Sequence, residues 1–359
     1  MKMAKRIVLT GGGTAGHVTP NIALLPSLRE EGFEIAYIGS YDGIEKKLIS
    51  DFDIPYTGIS TGKLRRYLDP KNFSDPFRVL KGYAEAKKYL KEFRPDVVFS
   101  KGGFVSVPVV RAAASLKIPC IIHESDMTPG LANKLCIPVA AKVCCNFPET
   151  MKKLPAGKAV LTGSPIRKEL SEGNKLAGLE MCGFTANKPV ILVMGGSLGA
   201  MNVNQAVRAA LPMLLERFQI AHLCGKDKVD NLLLLTPGYK QFEYVKSELK
   251  DLFAACDLVI SRAGANAICE ILALKKPNIL IPLPAEVSRG DQLLNAASFA
   301  SQGFSVVIQE DDLNTSALVE AVNSLYDNRQ SYIDTMEASG QMDSVETIMG
   351  LIREAAGTE

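Results

Sequence analysis

The chain has 359 residues, 47% of them hydrophobic, enough to bury two cores of roughly 150 residues each. Its formal net charge of +2 argues against a nucleic-acid partner for the chain as a whole. Eight scattered cysteines without a CxxC pair, together with only His17, His123 and His222, assemble no zinc pattern and read as thiols of a reducing compartment. In chain order, apolar runs predict strands at Ile7 to Leu9, Ile35 to Ile38, Val97 to Phe99, Cys120 to Ile122 and Val143 to Cys145. A second set follows at Val190 to Met194, Ile220 to Leu223, Phe242 to Val245, Leu258 to Ile260, Ile279 to Ile281 and Val306 to Ile308. Continuous Val/Ile runs separated by helical lengths predict parallel strands covered on both faces, so the fold class is α/β with two doubly wound units. The first run is too short for the core of a signal peptide, and no run reaches the ~18 apolar residues that span a bilayer.

Pro155, Gly157, Gly163 and Pro165 interrupt the pattern between Leu154 and Arg167, which places the domain boundary there. The predicted division is 1–160, 161–330 and a helical tail, 331–359, packing back across the junction. Each unit opens with a strand running into glycine: Gly11-Gly-Gly-Thr-Ala-Gly16 in the first and Gly195-Gly-Ser-Leu-Gly199 in the second. Such a turn lets backbone N–H groups meet an anion, so phosphate is the natural guest of both. Gly11, Gly13 and Gly16 satisfy the dinucleotide fingerprint G-x-G-x-x-G, yet Glu30 and Glu31 precede the second strand, where a ribose-binding acid would follow it. Ser197 sits in a formal G-x-S-x-G elbow, but His222 and Glu216 lie on one short segment and build no triad, so Ser197 reads as a hydroxyl donor to phosphate. Asp51-Phe-Asp53 follows no strand and reads as solvated loop, and no metal is implied. Two such units facing across a cleft describe the GT-B architecture, with a nucleotide sugar beyond the strand C-termini.

Between Lys63 and Lys101 stand eleven Lys/Arg against five Asp/Glu, a local net of +6 against +2 for the whole chain. Leu64, Tyr67, Phe73, Phe77, Val79 and Leu80 are interleaved with these charges. Lys63 to Lys81 therefore reads as a surface for anionic lipid, at about 1 kcal/mol per basic residue, whereas Tyr83, Ala86 and Leu90 read as the inward face of an ordinary helix.

Six motifs in order cover nearly the whole chain: Gly12-Gly-Thr-Ala-Gly-His17; Gly102-Gly-Phe-Val-Ser-Val-Pro108; His123-Glu-Ser-Asp126 with Pro129-Gly-Leu-Ala-Asn-Lys134; Gly163-Ser-Pro-Ile-Arg167; Gly195-Gly-Ser-Leu-Gly-Ala200; and Ser261-Arg-Ala-Gly264 running to Glu270, with Asp291-Gln-Leu-Leu-Asn295. Together they closely resemble the signatures of the MurG family. The resemblance implies an inverting transferase that moves GlcNAc from UDP-GlcNAc to undecaprenyl-diphospho-MurNAc-pentapeptide (lipid I) in β1,4 linkage, giving lipid II for peptidoglycan. It also implies a peripheral place on the cytoplasmic side of the cell membrane, near other cell-wall synthesis proteins, and no cofactor. A GT-B enzyme with another role, such as a diacylglycerol glycosyltransferase or a UDP-GlcNAc 2-epimerase, and a non-catalytic membrane scaffold are the alternatives.

By the same resemblance Glu270 accepts the ribose hydroxyls, Arg167 binds the donor, and the uracil contact falls on the backbone of Tyr244 and Val245. Gln292 and Asn295 carry amides suited to sugar hydroxyls. Gly13, Thr14 and Ala15 line the first glycine turn. His17 is the candidate general base, expected to stay neutral because it opens a helix and meets its dipole. Glu124 and Asp126 are expected to orient donor or acceptor, although Ser125-Asp126 departs from the family's common Gln-Asn and puts an amide contact there in doubt.

Overall fold

In this computed structural model, residues 4–62, 75–195, 200–286, 290–340 and 343–357 are described. They form two compact units, 1–167 with 343–359 and 168–342. The first unit runs β1 (Arg6–Thr10), α1 (Thr19–Glu30), β2 (Glu34–Ser40), α2 (Ile44–Ile49), β3 (Tyr56–Ile59), α3 (Asp75–Phe93), β4 (Val97–Ser100), α4 (Ser106–Ser115), β5 (Cys120–Glu124), α5 (Leu131–Cys136), β6 (Lys142–Cys145), α6 (Pro148–Met151) and β7 (Ala159–Leu161). Its seven parallel strands are ordered β3-β2-β1-β4-β5-β6-β7. Ile7 and Leu9 face one core with Leu24 and Leu28 of α1, while Val8 between them faces the other with Ala86 and Leu90 of α3 and Val109 of α4. A strand whose alternate residues are both buried needs an unbroken apolar run, which is what the sequence carries there.

The second unit runs α7 (Lys175–Cys182), β8 (Val190–Met194), α8 (Met201–Arg217), β9 (Gln219–Leu223), β10 (Tyr239–Phe242), α9 (Leu249–Ala255), β11 (Leu258–Ser261), α10 (Ala265–Ala273), β12 (Asn278–Leu280), α11 (Asp291–Ser301), β13 (Ser305–Val307), α12 (Thr315–Asp327) and α13 (Arg329–Ala338). Its six strands are ordered β10-β9-β8-β11-β12-β13, the same winding as in the first unit. Ile191 and Val193 pack toward α8 and α12, and Val190 and Leu192 pack toward α9. The last helix, α14 (Ser344–Ala356), belongs to the first unit, where Ile348, Met349 and Ile352 join the core of Ile7 and Leu9. The tail expected as one segment is thus divided, with α13 in one unit and α14 in the other.

Three strands differ from the sequence reading. β10 begins at Tyr239, three residues before the expected run, because its buried residues are Tyr239 and Gln241 alternating with exposed Lys240. An alternating, half-polar strand does not register as an apolar run. β3 and β7 are short strands at the two edges of the first sheet, and β7 lies inside the stretch expected to be only loop. Ala86 and Leu90 of α3 are buried, as their spacing predicts, and among the described residues no helix is long and apolar enough to cross a membrane.

Candidate active site

In each sheet the chain reverses its direction of winding between the first strand and its fourth-formed neighbour, and ligands of such sheets collect beyond the strand ends at that point. In the first unit the point lies between β1 and β4, where the Lys101 N–H donates to the Thr10 carbonyl at 3.0 Å. The glycine turn comes directly after β1. Asn21, in the first turn of α1, donates from Nδ2 to the Thr10 carbonyl (3.1 Å) and to the Tyr37 hydroxyl (3.2 Å), and Tyr37 donates to the Gly11 carbonyl (2.8 Å). The turn is held from below by α2. The wholly buried Glu45 carboxylate accepts from Gly13 N at 3.1 Å, from Ser40 N at 3.0 Å and from the Ser40 hydroxyl. The Gly13 amide is thereby spent on a carboxylate, whose negative charge opposes an anion at that place. Gly13, Thr14 and Ala15 are otherwise exposed.

His17 closes a short 3-10 turn, Ala15–His17, and α1 starts only at Thr19. Its Nδ1 lies 3.2 Å from the Gly12 carbonyl and 3.2 Å from the Thr14 hydroxyl. A carbonyl only accepts, so Nδ1 carries the hydrogen and Nε2 keeps a lone pair. Burial lowers the imidazole pKa to about 4, with the Lys101 charge acting in the same direction and the Gly12 bond and Glu45 opposing. The neutrality expected of His17 is therefore present for another reason than the helix dipole. The approach to the ring is set by the neighbouring turn: Gly103 has φ +82°, and a Cβ there would stand 2.3 Å from the Gly12 carbonyl oxygen and 3.2 Å from His17 Nδ1. Only glycine admits that approach.

Lys101, 1% exposed, turns inward at the end of β4, and its ammonium donates to His123 Nδ1 (2.7 Å) and Ser125 Oγ (2.5 Å). His123 passes its Nε2 hydrogen to the Gly163 carbonyl at 2.8 Å, and burial holds its pKa well below the ordinary value. Beside it, Glu124 is enclosed rather than aimed outward. One oxygen accepts from Asp126 N (2.9 Å), the other from Gly130 N (3.0 Å) and Asn133 Nδ2 (2.8 Å), and burial raises its pKa. Glu124, expected to orient donor or acceptor, holds the 124–133 loop through these bonds. Asp126 is half-buried on that loop, and Arg167, also half-buried, is the last residue of the first unit.

In the second unit Gly195 ends β8, and residues 196–199, with Ser197, lie outside the described residues. The start of α8 is firmly anchored. Asn204, in its first turn, donates to the Cys224 carbonyl (2.9 Å) and meets His222 Nε2 (3.0 Å), whose Nδ1 meets the Tyr239 hydroxyl (2.8 Å). Arg262, from the Ser261-Arg-Ala-Gly264 motif, is buried in an ion pair with Glu310 and donates to the Ile281 carbonyl at 3.1 Å. Asn202 Nδ2 donates to the same Glu310 at 2.5 Å, which ties the start of α8 to that motif.

Asn295 is 1% exposed and donates to the Ala263 carbonyl at 3.1 Å, and Gln292 Oε1 accepts from Leu283 N at 3.1 Å. One atom of each amide thus braces the backbone of the surrounding loops. Glu270 is half-buried in the second turn of α10, the helix that follows Ser261-Arg-Ala-Gly264. Tyr244, 66% exposed, lies in the loop after β10, while Val245 packs partly onto the core of Leu252 and Phe253.

Family models match both units: the glycosyltransferase family 28 N-terminal domain over residues 7–145 and its C-terminal domain over residues 190–349. The chain belongs to glycosyltransferase family 28, among its MurG members. A relative from Lachnoclostridium phytofermentans, named as a UDP-N-acetylglucosamine–N-acetylmuramyl-(pentapeptide) pyrophosphoryl-undecaprenol N-acetylglucosamine transferase, is 68% identical over 98% of this chain and 99% of its own length. One of the same name from Lachnospira eligens is 66% identical over 98% and 99%. The crystal structure of Acinetobacter baumannii MurG superposes with a TM-score of 0.78 at 27% identity, covering 98% of this chain and 99% of that one.

In this family 28 chain, sequence reasoning missed two buried charges of the first unit, Glu45 and Lys101. Lys101 was counted within the basic segment, and nothing local distinguishes it from its exposed neighbours. The available signal was its place directly after the apolar run Val97-Val-Phe99 and Ser100 and before Gly102-Gly103, at the end of a fully buried strand. Of the expected lipid surface, residues 63–74 lie outside the described residues. On the first turns of α3, Phe77 (74%) and Leu80 (66%) are exposed beside Lys81.

Proposed function

We propose that the chain transfers N-acetylglucosamine from UDP-GlcNAc to the 4-hydroxyl of lipid-linked MurNAc-pentapeptide, with inversion at the anomeric carbon. The observation that carries this is full-length relatedness, at 68% identity, to a transferase named for that reaction, joined to a histidine with a free Nε2 lone pair at the winding reversal of the first unit. In the transfer the acceptor O4 forms the bond to C1 while its proton passes to His17 Nε2, and the bond from C1 to the diphosphate oxygen breaks with its electron pair leaving on UDP. A carboxylic acid is not needed as base, since an imidazole held neutral accepts the proton directly. Arg167 and the second glycine turn, with Ser197, receive the charge that develops on the diphosphate.

Glu270 takes the ribose hydroxyls, the backbone at Tyr244 and Val245 meets uracil, and Thr14, Ala15 and Asp126 face the acceptor. Glu124, Gln292 and Asn295 act through the loops they hold. The acceptor is lipid-linked, so the enzyme works at the cytoplasmic membrane surface, with Phe77, Leu80 and the basic residues of 63–81 meeting anionic lipid. The test is UDP release by the purified protein with and without a lipid I analogue. Release that depends on the analogue is expected. Release without any acceptor, or only with diacylglycerol, would overturn the reading in favour of an epimerase or a glycolipid synthase.

A further inference from the structure

The backbone that leads to Arg167 is held at Gly163 and Ser164. After β7 the Thr162 and Gly163 amides both donate to the Cys145 carbonyl at the end of β6 (3.0 and 3.2 Å), and Gly163 turns the chain at φ +69°. The Gly163 carbonyl accepts from His123 Nε2 (2.8 Å) and from the Thr162 hydroxyl (2.8 Å), and the Ser164 carbonyl accepts from the Ser344 hydroxyl of α14 (2.8 Å). Of these donors His123 comes from β5 and is itself gripped. Its Nδ1 lies 2.7 Å from the ammonium of Lys101, which also donates to Ser125 Oγ at 2.5 Å. An ammonium only donates, so Nδ1 offers a lone pair, and the ring hydrogen is then on Nε2, the nitrogen that faces the Gly163 carbonyl. Lys101 and His123 are 1% and 0% exposed, so water has little access to replace either bond.

We propose that Lys101 is a positioning residue for donor binding: through His123 it fixes the Gly163 to Arg167 segment, and so the place from which the Arg167 guanidinium meets the diphosphate. The inference rests on the reading of Arg167 as the donor-binding cation. All the bonds of this relay lie within the first unit, and it runs from the end of β4 through β5 to the chain that follows β7. An imidazole matched on one side to a pure donor and on the other to a pure acceptor has one tautomer and one orientation. Without the ammonium, Nδ1 keeps a buried lone pair with no donor from Lys101, and the ring is free to turn or to move its hydrogen to Nδ1. The Gly163 carbonyl then loses its donor from β5, and the segment beyond it loosens. A displacement of about 1 Å at a binding group can cost on the order of 10²-fold, so a buried lysine that touches no substrate can still govern the donor site.

The chain has three histidines, so histidine labelled on its ring nitrogens gives three sets of magnetic-resonance signals, and the His123 set is the one missing from His123→Asn. In the full-length protein the His123 Nε2 hydrogen should resist exchange with water, and Lys101→Met should speed that exchange about tenfold or more. By calorimetry, Lys101→Met should weaken UDP binding roughly tenfold. The double variant Lys101→Met with Arg167→Ala should bind UDP no more weakly than Arg167→Ala alone, a non-additivity that a general loss of packing would not produce. Lys101→Gln, which keeps an N–H for His123, should be milder in both measurements, and it carries the test where methionine does not fold. Exchange and UDP affinity unchanged in every folded Lys101 variant, or losses that add in full to that of Arg167→Ala, overturn the proposal. Should Arg167 not bind the donor, Arg167→Ala would hold UDP as tightly as the wild type while exchange at His123 still responded to Lys101→Met. Should the relay be wrong, Arg167→Ala would lose UDP while exchange ignored Lys101, so the two readings fail separately.

Discussion

The two units wind their sheets identically, and each places an asparagine in the first turn of the helix that follows its first strand, but they surround that asparagine with opposite chemistry. In the first unit Asn21 reaches Thr10 and Tyr37, and the turn lies between the buried charges of Glu45 and Lys101. In the second, Asn204 reaches Cys224 and a histidine, and burial drives the His222 pKa down to about 3, so that support is neutral. One topology thus carries charged surroundings in one unit and neutral ones in the other.

The comparison breaks most sharply at His17. His17→Ala should lower kcat by about 10²- to 10⁴-fold with UDP affinity spared, measured by UDP release and by calorimetry. Equal losses of turnover and UDP binding would show that the histidine is not confined to proton transfer. Next comes the carboxylate of the first turn. Glu45→Ala strands the buried Ser40 donors and the Gly13 amide, and a loss of about 3 kcal/mol in urea unfolding of the first unit is expected. Asn204→Ala removes two neutral bonds and should reduce the stability of the second unit by about 1–2 kcal/mol. A larger loss at Asn204 than at Glu45 would reverse the ranking of charged and neutral support.

The smallest effect is one of pH. His222 is neutral when folded and titrates near the ordinary value of 6.5 when unfolded, so below that pH the unfolded chain binds the extra proton and stability falls as pH falls toward about 3. The slope approaches about 1.4 kcal/mol per pH unit for this residue. Between pH 6 and 5, His222→Asn should flatten the stability curve of the second unit, and an unchanged slope would remove His222 from the account.

Much of the fold is legible in the sequence, because a strand buried on both faces needs an uninterrupted apolar run: Ile7, Val8 and Leu9 send alternate side chains into two different cores. β10 escapes the same criterion since Lys240 and Gln241 break its run, and β7 escapes it as a three-residue edge strand. At the site, His17 is visible from its place at the end of a glycine turn. The buried charges of the first unit are not, since Glu45 sits in Gly43-Ile-Glu-Lys-Lys47, which reads as a solvated helix start, and its burial arises only from the packing of α2 under the turn.

The return of α14 to the first unit has a bearing on biosynthesis. Residues 168–342 form a continuous insert within the other unit, so the part begun first at the ribosome is the part finished last. At translation rates of roughly 5–20 residues per second, the core of Ile7 and Leu9 waits on the order of ten to thirty-five seconds for Ile348, Met349 and Ile352 to emerge after the insert begins. A nascent chain that stalls near its end would thus hold a finished second unit and an open first one, presenting apolar surface to chaperones.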